Sequence, residues 1–199
     1  WFNGSWLVPA ENGYSRAVPL RWLPAFTEKS RPQATTPSKE WEAAVAFLVW
    51  VKQQLSAAGR GGQQVLMVAD GHYDTLPLWQ HLPVGTILLA RSARNRVLWH
   101  LPGSQSRRNR RYGERAPAPA AYWRERKEWR PVQVQVRGKE RHLQVKVAGP
   151  FLRKGAPNCP LFLIIVRGKG NARTRREPLP FLVNASPATS GTWALPLPV

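Results

Sequence analysis

Two short apolar runs, Val65 to Ala69 and Thr86 to Ala90, leave this chain few folds to choose from. Each is continuous rather than alternating, and Gly flanks both. That is the pattern of a strand buried on both faces. The first run stops at Asp70 and the second at Arg91. Before them lies a helix signal. Thr36 suits an N-cap, Pro37 the first helical position, and Glu40 and Glu42 the positive end of the helix dipole. Trp41, Ala44, Val45, Leu48, Val51 and Leu55 recur at helical spacing, and Gly59 ends the helix. A helix followed by a buried strand predicts a strand-helix-strand crossover in an α/β sheet. Sites in such sheets lie beyond the carboxyl ends of the strands.

The flanking segments are richer in strands. Gly4 to Pro9 and Ala17 to Leu23 read as two strands about the Asn12-Gly13 turn, with prolines that suit an edge. Leu76 to Leu82 reads as a short helix, which Asp74 would cap. Residues 102–121 change to Ser, Arg, Pro and Ala and read as a basic loop or linker. Val132, Val134 and Val136, then Leu143, Val145 and Val147, alternate about the Arg137-Gly138 turn, which predicts a β-hairpin. Leu161 to Val166 and Phe181 to Val183 read as further strands.

Charge narrows the partners. Thirty Lys and Arg stand against 11 Asp and Glu, a formal net charge of +19. A surface like this repels itself unless a polyanion neutralises it, and clustered Arg rewards phosphate contact. The clusters are Arg91, Arg94 and Arg96; Arg107, Arg108, Arg110 and Arg111; Arg124, Arg126 and Lys127; and Arg173, Arg175 and Arg176. Tyr112, Tyr122, Trp123 and Trp129 fall among them, which suits backbone tracking with occasional stacking. Nucleic acid is the expected partner.

Other chemistries are poorly served. Cys159 is the only cysteine, so no internal disulfide and no cysteine metal cluster is expected. The longest apolar stretch, Ala43 to Val51, is far short of the roughly 20 residues that a membrane helix needs. No Gly-x-Ser-x-Gly elbow and no Walker loop occurs. Asp70-Gly71-His72 has the start of a metallophosphoesterase motif, but no later Gly-Asp or Asn-His pair completes it. His72 is then expected to be an exposed turn residue. Asp70 and Asp74 are the only aspartates. A strand-tip Asp serves equally as a ligand for a hard cation and as a turn residue.

The order of elements resembles the middle of an RNase H-like catalytic domain, in particular that of the DDE transposases of bacterial insertion sequences. The residues that carry the resemblance are Val68-Ala69-Asp70-Gly71-His72-Tyr73-Asp74-Thr75, then Leu82-Pro83-Val84-Gly85, then the strand to Arg91 with Arg94-Asn95. The hairpin Val132 to Val147 and the later Phe181 to Ala185 are similar to that family's β insertion and its return. The resemblance implies an α/β fold, an RNase H-like mixed sheet with helices that carries a β-rich insertion. It divides the chain into a core portion over 1–101, a linker over 102–121, the insertion over 122–185 and a return towards a catalytic helix over 186–199.

It also implies Mg2+-dependent (or Mn2+-dependent) DNA cleavage and strand transfer at transposon ends and target. Asp70 would be catalytic and metal-binding. Arg91, Arg94, Arg96, Arg107, Arg108, Arg110 and Arg111 would contact DNA. The full enzyme could form a homo-oligomer, in the bacterial cytoplasm with the nucleoid. The family's other two carboxylates have no counterpart here: no Asp precedes Asp70, and no Tyr-x-x-Arg-x-x-x-Glu pattern follows the insertion. One carboxylate cannot position a two-metal pair. The chain opens without Met and stops at Val199, so the expectation is a fragment or a decayed copy that binds DNA without cutting it. The alternative is a non-catalytic basic nucleic-acid-binding protein.

Overall fold

The structure, a computed structural model, describes residues 1–25, 29, 39–103, 110–168 and 177–185. The fold is mixed α/β and rich in strand. In order come β1 (Phe2–Pro9), β2 (Ser15–Leu23), α1 (Glu40–Ala57), β3 (Val65–Ala69), α2 (Leu76–Gln80) and β4 (Thr86–Arg91). Then follow β5 (Trp99–His100), α3 (Pro119–Arg124), β6 (Arg130–Val136), β7 (Lys139–Arg153), β8 (Ala156–Gly168) and β9 (Leu179–Val183).

The main sheet runs β3-β4-β9-β8-β7-β5, with β6 paired to β7. Only β3 and β4 are parallel, joined through α2; β9, β8 and β7 follow antiparallel. The segment read as an insertion therefore continues the same sheet as β3 and β4.

The core lies on one face of this sheet. Strand alternation sends Leu88 and Ala90, Leu182, and Leu161, Leu163 and Ile165 into one cluster with Ala43, Ala44, Phe47 and Val51 of α1. The helical spacing foresaw Ala44, Leu48 and Val51 as buried, and all three are. Helix α1 starts at Glu40, with Lys39 in the cap position; Thr36 and Pro37 lie outside the described residues. The positive φ of Gly59, 72°, follows its last turn, as expected of a helix terminator.

Three sequence expectations need correction. The helix-to-strand crossover does not join β2 to β3, because β1 and β2 form a sheet of their own. Nor is β3 buried on both faces. Val65, Met67 and Ala69 pack on the core, but Leu66 and Val68 are 49% and 55% exposed at the sheet edge. A continuous apolar run reports strand propensity, and only the packing partners decide which faces are covered. Finally, residues 110–118 form a loop, as expected, but a packed one that leads into α3. Ala116 donates to Leu98 O at 2.9 Å, Ala120 donates to Arg94 O at 2.9 Å, and Pro119 opens α3 in a buried position.

The β6–β7 hairpin forms where alternation placed it. Its turn puts Arg137 and Gly138 at φ 50° and 70°, the left-handed pair that a two-residue hairpin loop requires. Beneath it, Lys146 is 1% exposed, donates to Glu125 Oε2 at 2.8 Å and lies 5.6 Å from the centre of the Trp129 ring. Arg167 stacks on the same ring at 3.7 Å. A buried ion pair costs desolvation that an apolar side chain of similar volume avoids. Lys146→Met should therefore leave stability within about 1 kcal/mol of wild type or raise it. Glu125→Ala strands the ammonium and should cost about 1–3 kcal/mol, less than for a fully buried partner because Glu125 is half-exposed. Chemical denaturation of both variants checks the asymmetry; the reverse order of losses would contradict it.

Candidate nucleic-acid interface

The carboxyl ends of β3 and β4 open onto a cleft of about 510 Å³. Asp70, His72, Arg91, Arg94, Arg96 and Glu177 are among the residues that line it, with Trp123. The topology explains the gathering. Parallel strands end together, so the loops after β3 and β4 emerge side by side. Strand β9 then runs back antiparallel to β4, with Arg91 opposite Phe181, which brings Glu177 to the same rim.

Asp70 is exposed at the tip of β3. Its Oδ1 accepts from the His72 backbone N–H at 2.9 Å and so caps the 3-10 turn Gly71–Tyr73. Its Oδ2 has no hydrogen-bond partner among the described residues. His72 is indeed an exposed turn residue, and its Nε2 meets Glu40 Oε2 at 2.7 Å, tying the turn to the start of α1. Tyr73, beside them, has its hydroxyl pKa raised by burial and by the charges of Glu40 and Asp70.

Asp74 is not a helix cap. Thr75 holds that position, without a side-chain cap bond. Asp74 is instead the centre of a buried network. Its Oδ1 accepts from Trp79 Nε1 at 3.0 Å and from Arg153 Nη1 at 2.8 Å. Its Oδ2 accepts from Ser92 Oγ at 2.7 Å and from Arg96 Nε at 2.8 Å. Burial and the neighbouring Arg96 push the Arg153 pKa down, and Asp74 opposes them. Burial likewise raises the Cys159 thiol above its ordinary value, which suits a structural cysteine.

The arginines named from the sequence divide accordingly. Arg91 and Arg94 line the cleft with exposed side chains, and Arg94 meets Glu177 only at 3.7 Å, in solvent. Arg96 borders the cleft but is committed to Asp74, which it meets at 2.7 Å through Nη2. Arg110 and Arg111 are exposed on another part of the surface, with Arg110 Nε on Tyr112 O at 3.0 Å. Arg107 and Arg108 lie outside the described residues. Spacing along the chain could not reveal Arg153 or Glu177 as neighbours of this region. The one available hint was the excess of cations around so few carboxylates, and of the two aspartates only Asp74 takes arginine partners among the described residues.

The residues present do not fit a pair of divalent cations. Among the described residues no group of three His, Cys, Asp or Glu side chains could hold a metal ion. Mg2+ needs near-octahedral oxygen ligation anchored by carboxylates, and Asp70 offers a single free oxygen here. The cleft can do something simpler: place exposed guanidinium groups around a polyanion. Among the described residues no helix is long and apolar enough to cross a membrane. No family model, no curated protein and no solved structure matches the chain.

Proposed function

We propose that the chain binds DNA through the cleft beyond β3 and β4, as part of the RNase H-like catalytic domain of a DDE transposase. The observation that carries this reading is Asp70, a carboxylate at the tip of a parallel strand, facing a cleft walled by Arg91 and Arg94. Asp70 takes one place among the metal-holding carboxylates of a complete enzyme. Arg91 and Arg94 contact phosphate, and Arg96 positions their loop through Asp74. Cleavage by this chain alone is not proposed, because the described residues hold no set of ligands for the metal pair that such a step requires.

A second reading, a non-catalytic basic nucleic-acid-binding protein, is favoured by one detail. Asp70 already serves as the cap of its own turn, the role such a binder would give it. The test is incubation of the 199-residue chain with plasmid DNA in Mg2+ and Mn2+, beside a gel shift. Binding without nicking is the expected result, and Asp70→Ala should bind equally well. Nicking that vanishes in Asp70→Ala would place a complete metal site in the chain. Loss of binding in Asp70→Ala would make the residue a structural or contact group rather than a reserved ligand.

A further inference from the structure

The β1–β2 ribbon is anchored at both ends and bare between them. At its base, Phe2 packs on Phe47 and Tyr73, and the Phe47 ring occupies the space where a side chain on Gly4 would stand. At its tip, the Arg137 backbone N–H donates to Gly13 O at 3.2 Å, and Gly138 lies against Tyr14. Between these anchors the residues of both strands are exposed. A two-stranded ribbon is marginal by itself in water. This one nevertheless shows solvent Trp6 at 48%, Val18 at 46% and Val8 at 41%.

The register puts these three on one face, with cations on either side. Trp6 is opposite Val18, Val8 is opposite Arg16, and Gly4 is opposite Arg21. Alternation along β1 gives Gly4, Trp6 and Val8 the same side, and a bulge at Leu20 of β2, where the register shifts between Gly4 and Ser5, puts Arg21 opposite Gly4 and Val18 opposite Trp6. Arg16 and Arg21 therefore flank the Trp6–Val18 pair along the ribbon. Arg21 is also held over the Trp50 ring, 5.1 Å from its centre. Glu11 is the only acid from Trp1 to Leu23, so nothing acidic on the strands neutralises them.

We propose that this face of the β1–β2 ribbon is a second nucleic-acid site, selective for single strands, in which an unpaired base stacks on Trp6 and the adjoining phosphates meet Arg16 and Arg21. The charge decides the occupant. An apolar protein partner would leave two cations uncompensated, whereas a single strand brings an apolar ring and anions at alternate positions along one chain. Duplex DNA offers the same phosphates, but its base faces are closed within the stack. The site goes beyond the cleft and does not depend on it.

The experiment measures affinity for a labelled oligothymidine and for a duplex of equal length, at one salt concentration. Trp6→Ala should weaken the single strand about 5- to 150-fold and the duplex little. Trp6→Phe should keep most of the affinity. Trp6→Leu, which keeps apolar bulk without a ring face, should lose it. Far-ultraviolet circular dichroism and melting establish that each variant is folded. Equal affinity of Trp6→Leu and wild type would overturn stacking, and so would a parallel loss for both forms of DNA. Loss of binding to anionic vesicles with unchanged oligothymidine binding would also overturn the site, assigning the face to a membrane surface. Arg94→Gln, tested on the duplex, reads the cleft separately, so failure of one site is distinguishable from failure of the other.

Discussion

Asp74→Ala should lower the unfolding free energy by about 3–5 kcal/mol, a drop in Tm of about 6–20 °C for a chain of this size. The Asp74 side chain is wholly buried, and Arg153, its partner, is 11% exposed. Removing the carboxylate leaves that guanidinium buried and unpaired, and it also takes the acceptor from Trp79 Nε1 and Ser92 Oγ. Arg96, 27% exposed, can turn to water and limits the loss. Asp74→Asn keeps the shape and one acceptor oxygen, which can still accept from Trp79 Nε1 and Arg153 Nη1, so its loss should be smaller. The network joins four parts of the fold, the turn after β3, α2, the loop after β4 and the end of β7. Its loss should therefore also blur the placing of Arg91 and Arg94. Guanidinium denaturation with melting measures the effect. A loss below about 1 kcal/mol would mean that the network contributes little beyond what water supplies.

DNA affinity should fall steeply with salt, by about 10³- to 10⁵-fold between 50 and 200 mM, the range for six to ten neutralised phosphates. The reason is counterion release, which clustered cations drive whatever the base sequence. The excess of 30 basic over 11 acidic residues supplies more than enough cations for such a footprint. Individual arginines should then separate. Arg94→Gln should weaken binding to all sequences alike and reduce the salt slope by about 1. Arg96→Gln should leave the slope unchanged and lower stability, because its charge is spent on Asp74. Equal reductions in slope for both would put a phosphate on Arg96 and overturn its positioning role. A flat salt response in the wild type would remove the electrostatic basis of DNA binding altogether.

The local parts of the fold were legible for local reasons. Helix α1, the runs that became β3 and β4, and the β6–β7 hairpin each rest on a period or a turn that neighbouring residues define; the strands and hairpin stand where that signal put them, and α1 does so except at its start, which is Glu40 rather than Pro37. Reading the site was less direct. Asp70 and Arg91 fall at strand tips in the sequence, and the parallel pairing of β3 and β4 brings them to one cleft. Asp74 was misread as a cap because its partners, Ser92, Arg96 and Arg153, come from later segments that nothing near Asp74 announces.

Composition and periodicity by themselves determined that this is a strongly basic chain of mixed strands and helices, with its aspartates after the first core strand. Those properties depend on residues a few positions apart, or on simple sums over the chain. Only the tertiary structure decided that β1 and β2 stand apart as a bare ribbon, that β3 is an edge, that residues 110–121 pack, and which arginines stay exposed. Each of those depends on contacts between distant segments. Burial of a charge is settled only when its partner arrives across the fold, as Arg153 does for Asp74 over 79 positions of sequence.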